Sequence, residues 1–147
     1  MTNTAAEESI DLALQVATGM LANDFAAQAL DIKIEKVGPG YALLTMVVRD
    51  DMINGHASCH GGMIFTLADT AFAYACNSYN IVNVAATCSI EFILPGRLGD
   101  RLSAEATEIS HGRRTGVYDV RVTDQDHKLV AIFRGRSISL NRPVIDN

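Results

Sequence analysis

The sequence predicts an α+β domain in which a curved antiparallel sheet wraps around one long central helix. Three observations predict it. The run from Met63 to Cys76 holds strong helix formers, lacks Gly and Pro, and is apolar on almost every face, so a helix there must be enclosed by protein. Beyond it, residues 82–140 read as strands divided by Pro-Gly, Gly or polar turns, with no further helical stretch. Ahead of it, two short extended segments flank Gly38-Pro39-Gly40 in the manner of a hairpin.

Taken in order, residues 5–30 read as helical, with Ile10, Leu12, Leu14, Val16, Met20 and Leu21 as apolar markers. Thr18-Gly19 and Asn23-Asp24 suggest a break, with a short second helix over 25–30. Residues 1–30 thus form an N-terminal helical extension to a single domain over 31–147. Residues 31–37 alternate polar and apolar, the period of a half-buried strand, and 41–48 form the second arm of the hairpin. A loop over 49–58 leads into the central helix, which the polar segment 77–80 ends. Strands follow over 82–94, 101–110, 115–123 and 128–140.

Composition narrows the function classes. With 147 residues, 48% hydrophobic and 20% charged, the chain can bury a real core and has apolar surface to spare, which suggests burial between subunits. A net charge of −5 argues against nucleic acid as a partner. No window approaches the ~18 apolar residues of a membrane span. The opening residues lack the basic segment of a secretion signal, and Cys59, Cys76 and Cys88 form no C-x-x-C, so a reduced, cytoplasmic protein is expected.

The chemistry concentrates in and before the central helix. Asp69 is a carboxylate within an apolar helix, costly unless paired, hydrogen-bonded or shifted in pKa. Gly61 and Gly62 open the helix where its first N–H groups are unpaired. A carboxylate inside and bare amides at the mouth are two parts of an acyl-transfer site: Asp69 as general base or nucleophile, the Gly61 N–H as donor to a developing oxyanion. The plainer readings are a carboxylate capped by Thr66 or Thr70, and a tight-turn glycine. Asn54-Gly55 is a strong turn signal. His60 either polarises a substrate or holds the loop, and His56 reads as loop-fixing. His56, Cys59, His60 and Asp69 lack secured metal-ligand spacing, so neither metal nor cofactor is expected. Cys59 reads as a small core residue, and Phe72 as an acyl-pocket wall or plain core. Arg97, Arg113, Arg114, Arg134 and Arg136 fall at turns or strand ends, as solvated edge charges or as phosphate contacts.

Met52-Ile53-Asn54-Gly55-His56-Ala57-Ser58-Cys59-His60-Gly61-Gly62 runs into Phe65-Thr66-Leu67-Ala68-Asp69-Thr70-Ala71-Phe72-Ala73-Tyr74-Ala75-Cys76-Asn77-Ser78. With Pro95-Gly96, Gly99-Asp100 and Thr115-Gly116-Val117-Tyr118-Asp119, these stretches resemble the hotdog-fold acyl-CoA thioesterases of the phenylacetate-degradation (PaaI) type. The resemblance implies hydrolysis of phenylacetyl-CoA, hydroxyphenylacetyl-CoA or related aromatic or medium-chain acyl-CoA. It implies an Asn54 side chain on the water or thioester, Arg113 and Arg114 as the foremost coenzyme A contacts, and homodimers paired into homotetramers. A hotdog dehydratase would need a helix histidine that this chain lacks. The remaining alternative is a non-catalytic acyl-CoA sensor, which would have no use for Asp69.

Helix geometry adds an expectation about assembly. Gly61 and Asp69 lie roughly 12 Å apart along a helix axis, too far to meet one carbonyl carbon. Two antiparallel central helices related by a two-fold axis would bring the mouth of one chain to Asp69 of the other.

Overall fold

A computed structural model describes residues 4–146; the first three residues of the expected extension and Asn147 lie outside it. Helix α1 (Ala5–Leu21) begins at a Thr4/Glu7 capping box, in which each side chain receives the other residue's N–H. Thr18-Gly19 does not break it: Gly19 stays helical, and the Ile145 side chain packs where a Cβ would stand. The break falls at 22–24, where Asp24 caps the short α2 (Phe25–Ala29) through the Ala27 N–H. The pair β1 (Lys33–Gly38) and β2 (Tyr41–Val47) forms the expected hairpin, its turn closed by Gly40 at φ +65°.

A 3₁₀ turn (Asp50–Met52) and a loop lead into α3 (Gly61–Cys76), and four strands follow: β3 (Asn83–Phe92), β4 (Arg101–His111), β5 (Thr115–Thr123) and β6 (Leu129–Ser139). The six strands form one antiparallel sheet in the order β1-β2-β4-β5-β6-β3. Helix α3 packs on its concave face, chiefly against β2, β4 and β5. This is the hotdog fold. Small inward residues on the strands, Ala42, Ala104, Ala106 and Ala131, are fully buried and let the helix sit close. Phe72 goes further, pressing its ring onto the β6 backbone at Gly135, where a Cβ would lie 2.7 Å from it.

Two departures from the expected pattern matter for the site. Helix α3 is not wholly enclosed by its own chain: Gly62, Phe65, Thr66, Asp69 and Ala73 form a partly open stripe at helical spacing. Strand β3, next to α3 in sequence, lies at the far edge of the sheet, where among the described residues its only strand neighbour is β6 and most of its residues are exposed. The surplus apolar surface read from composition lies partly here, on Val84, Phe92, Ile93 and Leu94.

Candidate active site

The helix mouth is built by backbone geometry. His60 is the N-cap of α3, and its Nδ1 accepts the Gly62 N–H at 3.0 Å. With Nδ1 accepting, Nε2 is the ring nitrogen left to donate. The His60 N–H donates to the Met52 carbonyl at 2.7 Å, and the Met63 N–H donates to the His60 carbonyl at 2.9 Å. Among the described residues the Gly61 N–H has no acceptor, which makes it the one open amide at the helix start. It points out of a terminus carrying the positive end of the helix dipole. The Phe92 ring tip lies 3.0 Å from where a Gly61 Cβ would stand, so this position must be glycine while the ring stays in place.

The preceding loop is stapled down. The Cys59 N–H donates to the Gly96 carbonyl at 2.8 Å, tying the loop to the β3–β4 connection. Asn54 Oδ1 accepts from the His56 N–H at 2.8 Å, the Ser58 N–H at 3.2 Å and Ser58 Oγ at 3.3 Å. Its carbonyl therefore holds the turn, and its NH₂ has no acceptor among the described residues. The turn reading and the donor reading of Asn54 concern two different atoms.

Asp69 occupies the open stripe of α3, half-buried, with no hydrogen-bond donor among the described residues. Thr66 Oγ1 donates to the Gly62 carbonyl and Thr70 Oγ1 to the Thr66 carbonyl, so neither hydroxyl caps the carboxylate. Burial, and then the negative charge of Asp24, hold the Asp69 carboxyl above its ordinary value. Asp24 is fixed from both sides, its Oδ1 capping α2 and its Oδ2 accepting the buried Tyr74 hydroxyl at 3.0 Å. The Cys76 thiol, pushed up to about 12 chiefly by burial, also feels the Asp69 charge. So does the Cys88 thiol, likewise raised mainly by burial.

Other candidates separate. No three His, Cys, Asp or Glu among the described residues group to hold a metal ion. Cys59 is buried and its thiol is pushed up to about 11 by burial, opposite to the activated state of a nucleophile. His56 is exposed. Arg113 and Arg114 lie together on the β4–β5 turn and line a cavity of about 350 Å³ with Ser139 and Asn141. That end is braced by Glu108, which accepts the hydroxyls of Tyr79 and Tyr118. Arg97 lies elsewhere, beside Asp100 and Asp124. Arg134 is held by Asp119 in a two-pronged pair at 2.6 and 2.8 Å, which neutralises it. Phe72 is 1% exposed and packs among the Tyr118 and Phe133 rings.

Residues 56–131 match the model of the thioesterase superfamily. The chain is 51% identical over 125 residues, 85% of its length, to the acyl-coenzyme A thioesterase PaaI of Escherichia coli strain K12, covering 89% of that protein. The chain belongs to the thioesterase superfamily. It is a thioester hydrolase of the PaaI type. The solved structure of E. coli PaaI superposes with a TM-score of 0.90 at 48% identity, over 91% of this thioesterase and 97% of that chain. A hypothetical thioesterase from Streptococcus pneumoniae TIGR4, solved with coenzyme A, superposes at 0.80 with 27% identity, over 84% and 98% of the two chains.

Two neighbours of the thioesterase's candidate groups escaped sequence reasoning. Asp24 was read only as part of a break between helices, and its approach to α3 arises from packing. Phe92 was legible as an apolar strand residue, and only the fold lays its ring on Gly61.

Proposed function

We propose that this thioesterase hydrolyses phenylacetyl-CoA, hydroxyphenylacetyl-CoA or a related aromatic or medium-chain acyl-CoA to the free acid and coenzyme A. The observation that carries the reading is an open Gly61 N–H on the same helix as a half-buried Asp69 whose carboxyl lies above its ordinary value. The thioester carbonyl oxygen takes its place on the Gly61 N–H, where the developing negative charge is met by a fixed donor. Asp69 accepts a proton from water as that water adds to the carbonyl carbon, and the tetrahedral adduct collapses with loss of the coenzyme A thiolate. A carboxylate raised above its usual value is the better base near neutrality. In the covalent variant Asp69 itself adds and the adduct expels the coenzyme A thiolate, giving a mixed anhydride that water then opens. The unengaged Asn54 NH₂ donates to the thioester oxygen or orients the water, and Arg113 and Arg114 meet the coenzyme A phosphates.

The site is shared between subunits. One chain cannot bring groups roughly 12 Å apart to a single carbonyl carbon. The open α3 stripe holding Asp69 and the exposed edge of β3 support a two-fold partner there, with dimers pairing into tetramers in the cytoplasm. The E. coli relative named for acyl-coenzyme A and the pneumococcal structure holding coenzyme A support the substrate class.

Thiol release across a panel of acyl-CoA thioesters tests the reading. Asp69→Ala and Asp69→Asn should fold and lose at least ~10²-fold in kcat. Near wild-type turnover in a folded variant would remove Asp69 from the chemistry. A sensor would bind the same thioesters without releasing thiol.

A further inference from the structure

The β4–β5 end of the sheet carries an aromatic stack that the chemistry at α3 does not use. The Tyr79 and His111 rings lie 4.5 Å apart and 15° from parallel. A β-bulge makes the contact possible. Glu108 stands opposite Tyr118 and His111 opposite Gly116, so Ile109 is the extra residue in β4. Without a bulge, Glu108 and His111 would point to opposite faces of the sheet; the extra residue turns both to one face. The Glu108 carboxylate then accepts the Tyr79 hydroxyl at 3.0 Å and the Tyr118 hydroxyl at 3.1 Å, and lies 3.4 Å from His111 Nδ1. Burial, and then Glu108, push the Tyr79 hydroxyl up to about 12, so it stays a donor.

The His111 side chain remains 43% exposed. With one ring face on Tyr79 and Nδ1 turned to Glu108, the open surface is the other face. Arg113 and Arg114 follow on the turn. Among the described residues neither pairs with a carboxylate, in a chain of net charge −5. With Ser139 they line both the cavity of about 350 Å³ and a narrow cleft walled by Tyr79 and His111. Strands β4 and β5 lie inside the sheet, away from the β3 edge proposed for the partner subunit. Unpaired guanidinium groups beside an open flat ring suit a ligand that joins phosphate to a planar base.

We infer that the open face of His111 is the stacking site for the adenine base of coenzyme A, with Glu108 and Tyr79 as its positioning residues. The inference rests on the proposed contact of Arg113 and Arg114 with the coenzyme A phosphates. One ribose joins the base to those phosphates, so phosphates held on the turn bring the base to the adjoining strand end. Adenine is polar at its edges and apolar on its faces. Stacking covers a face and leaves the edge groups in water, where they need no protein partner. Histidine is one of the side chains on which bases stack. Because Tyr79 and Glu108 already fix the imidazole, little side-chain freedom is lost when the base settles on it.

The test compares wild type, His111→Ala and His111→Phe by calorimetry with coenzyme A and with phosphopantetheine, which lacks the nucleotide. His111 is partly exposed and Glu108 keeps both tyrosine hydroxyls, so thermal melts should stay close to wild type. His111→Ala should raise the Kd of coenzyme A about 10-fold, within the range of one base–ring stack. Phosphopantetheine should bind all three proteins alike. His111→Phe keeps a flat ring without N–H or charge and should return the Kd of coenzyme A to within about 3-fold of wild type. In NMR titrations the two adenine ring protons should move upfield on wild type and His111→Phe, and not on His111→Ala. A phenylalanine variant as weak as the alanine one would overturn the inference, leaving the imidazole as a polar contact. Equal weakening of coenzyme A and phosphopantetheine would overturn it too, reducing His111 to a brace. Failure of the phosphate reading shows separately, as an Arg113→Ala/Arg114→Ala chain that binds coenzyme A as wild type does; the ring-proton shifts then decide the stack alone. None of these readouts needs turnover, so they hold whatever the Asp69 variants show.

Discussion

His60 Nδ1 accepts the N–H of Gly62 and leaves the N–H of Gly61 untouched. The imidazole thereby does for α3 what Ser, Asp or Asn does at other helix starts, and the open amide is the one beside it. His60→Ala should lower stability by about 1 kcal/mol, the usual worth of a cap. His60→Asn should restore it, because Asn caps well. Thermal melts and kcat measured side by side decide what else the ring does. Recovery of both to within about 3-fold of wild type is the expected outcome for a capping group. Recovery of the melt alone would mean that Nε2–H touches the substrate.

Burial and Asp24 make the Asp69 carboxyl hold its proton more tightly in the folded chain than in the unfolded one. Between the ordinary value of 3.8 and the raised folded value, the native state therefore binds more protons, and stability falls as pH rises through that window. Asp69→Asn escapes this loss and should melt above wild type at neutral pH, with the gap closing in acid. Asp24→Asn keeps an oxygen for the α2 cap and removes the repelling charge. Its pH profile of kcat/KM should show the acidic limb moved to lower pH. An unmoved limb would disconnect Asp24 from Asp69.

Arg113 and Arg114 share a cavity rim that Arg97 does not. Changing both to Ala should raise KM for an acyl-CoA by about 10-fold, on the scale of lost charge-assisted phosphate contacts. A pantetheine thioester lacking the nucleotide should be far less affected. Equal losses on both substrates would show that these arginines only hold the sheet edge.

Mixing subunits tests the shared site directly. Asp69→Ala chains and Gly61→Pro chains are each expected to be inactive, the second because proline suits the first helical position but has no N–H, the half-exposed Phe92 ring turning aside to admit its Cβ. After reversible dissociation and mixing, heterodimers should regain one of two sites. Heterodimers that form and stay inactive would confine the chemistry to one chain.

Much of this was legible in the sequence for definite reasons. The strand read over 115–123 between two turns keeps those bounds in the structure, because the turn residues that delimit it are local signals. The central helix stood out because its apolar residues leave no ordinary solvent face. Its true start at Gly61 was less plain, since a histidine is not a common cap and two glycines do not announce a helix. Gly19 misled for the opposite reason: a helical glycine costs only about 1 kcal/mol, and Ile145, distant in sequence, packs against it. The open stripe around Asp69 and the placing of β3 at the sheet edge follow from strand order, which periodicity does not encode. For the same reason the approach of Asp24 and Phe92 to the central helix was invisible until the chain was folded.

Strand β3 directly follows α3 in the chain, yet its hydrogen bonds go to β6, the last strand made. During synthesis from the N-terminus, β1, β2, β4 and β5 can already zip together while β3 has no strand to lie against. The segment that flanks Asp69 and carries Phe92 therefore waits, apolar and unpaired, until β6 emerges. Its aggregation risk is highest in that interval, and a ribosome stalled before β6 would display it to chaperones. The proposed site would thus gain its surroundings only at the end of translation, and the subunit pairing proposed for that edge would begin where chain growth finishes.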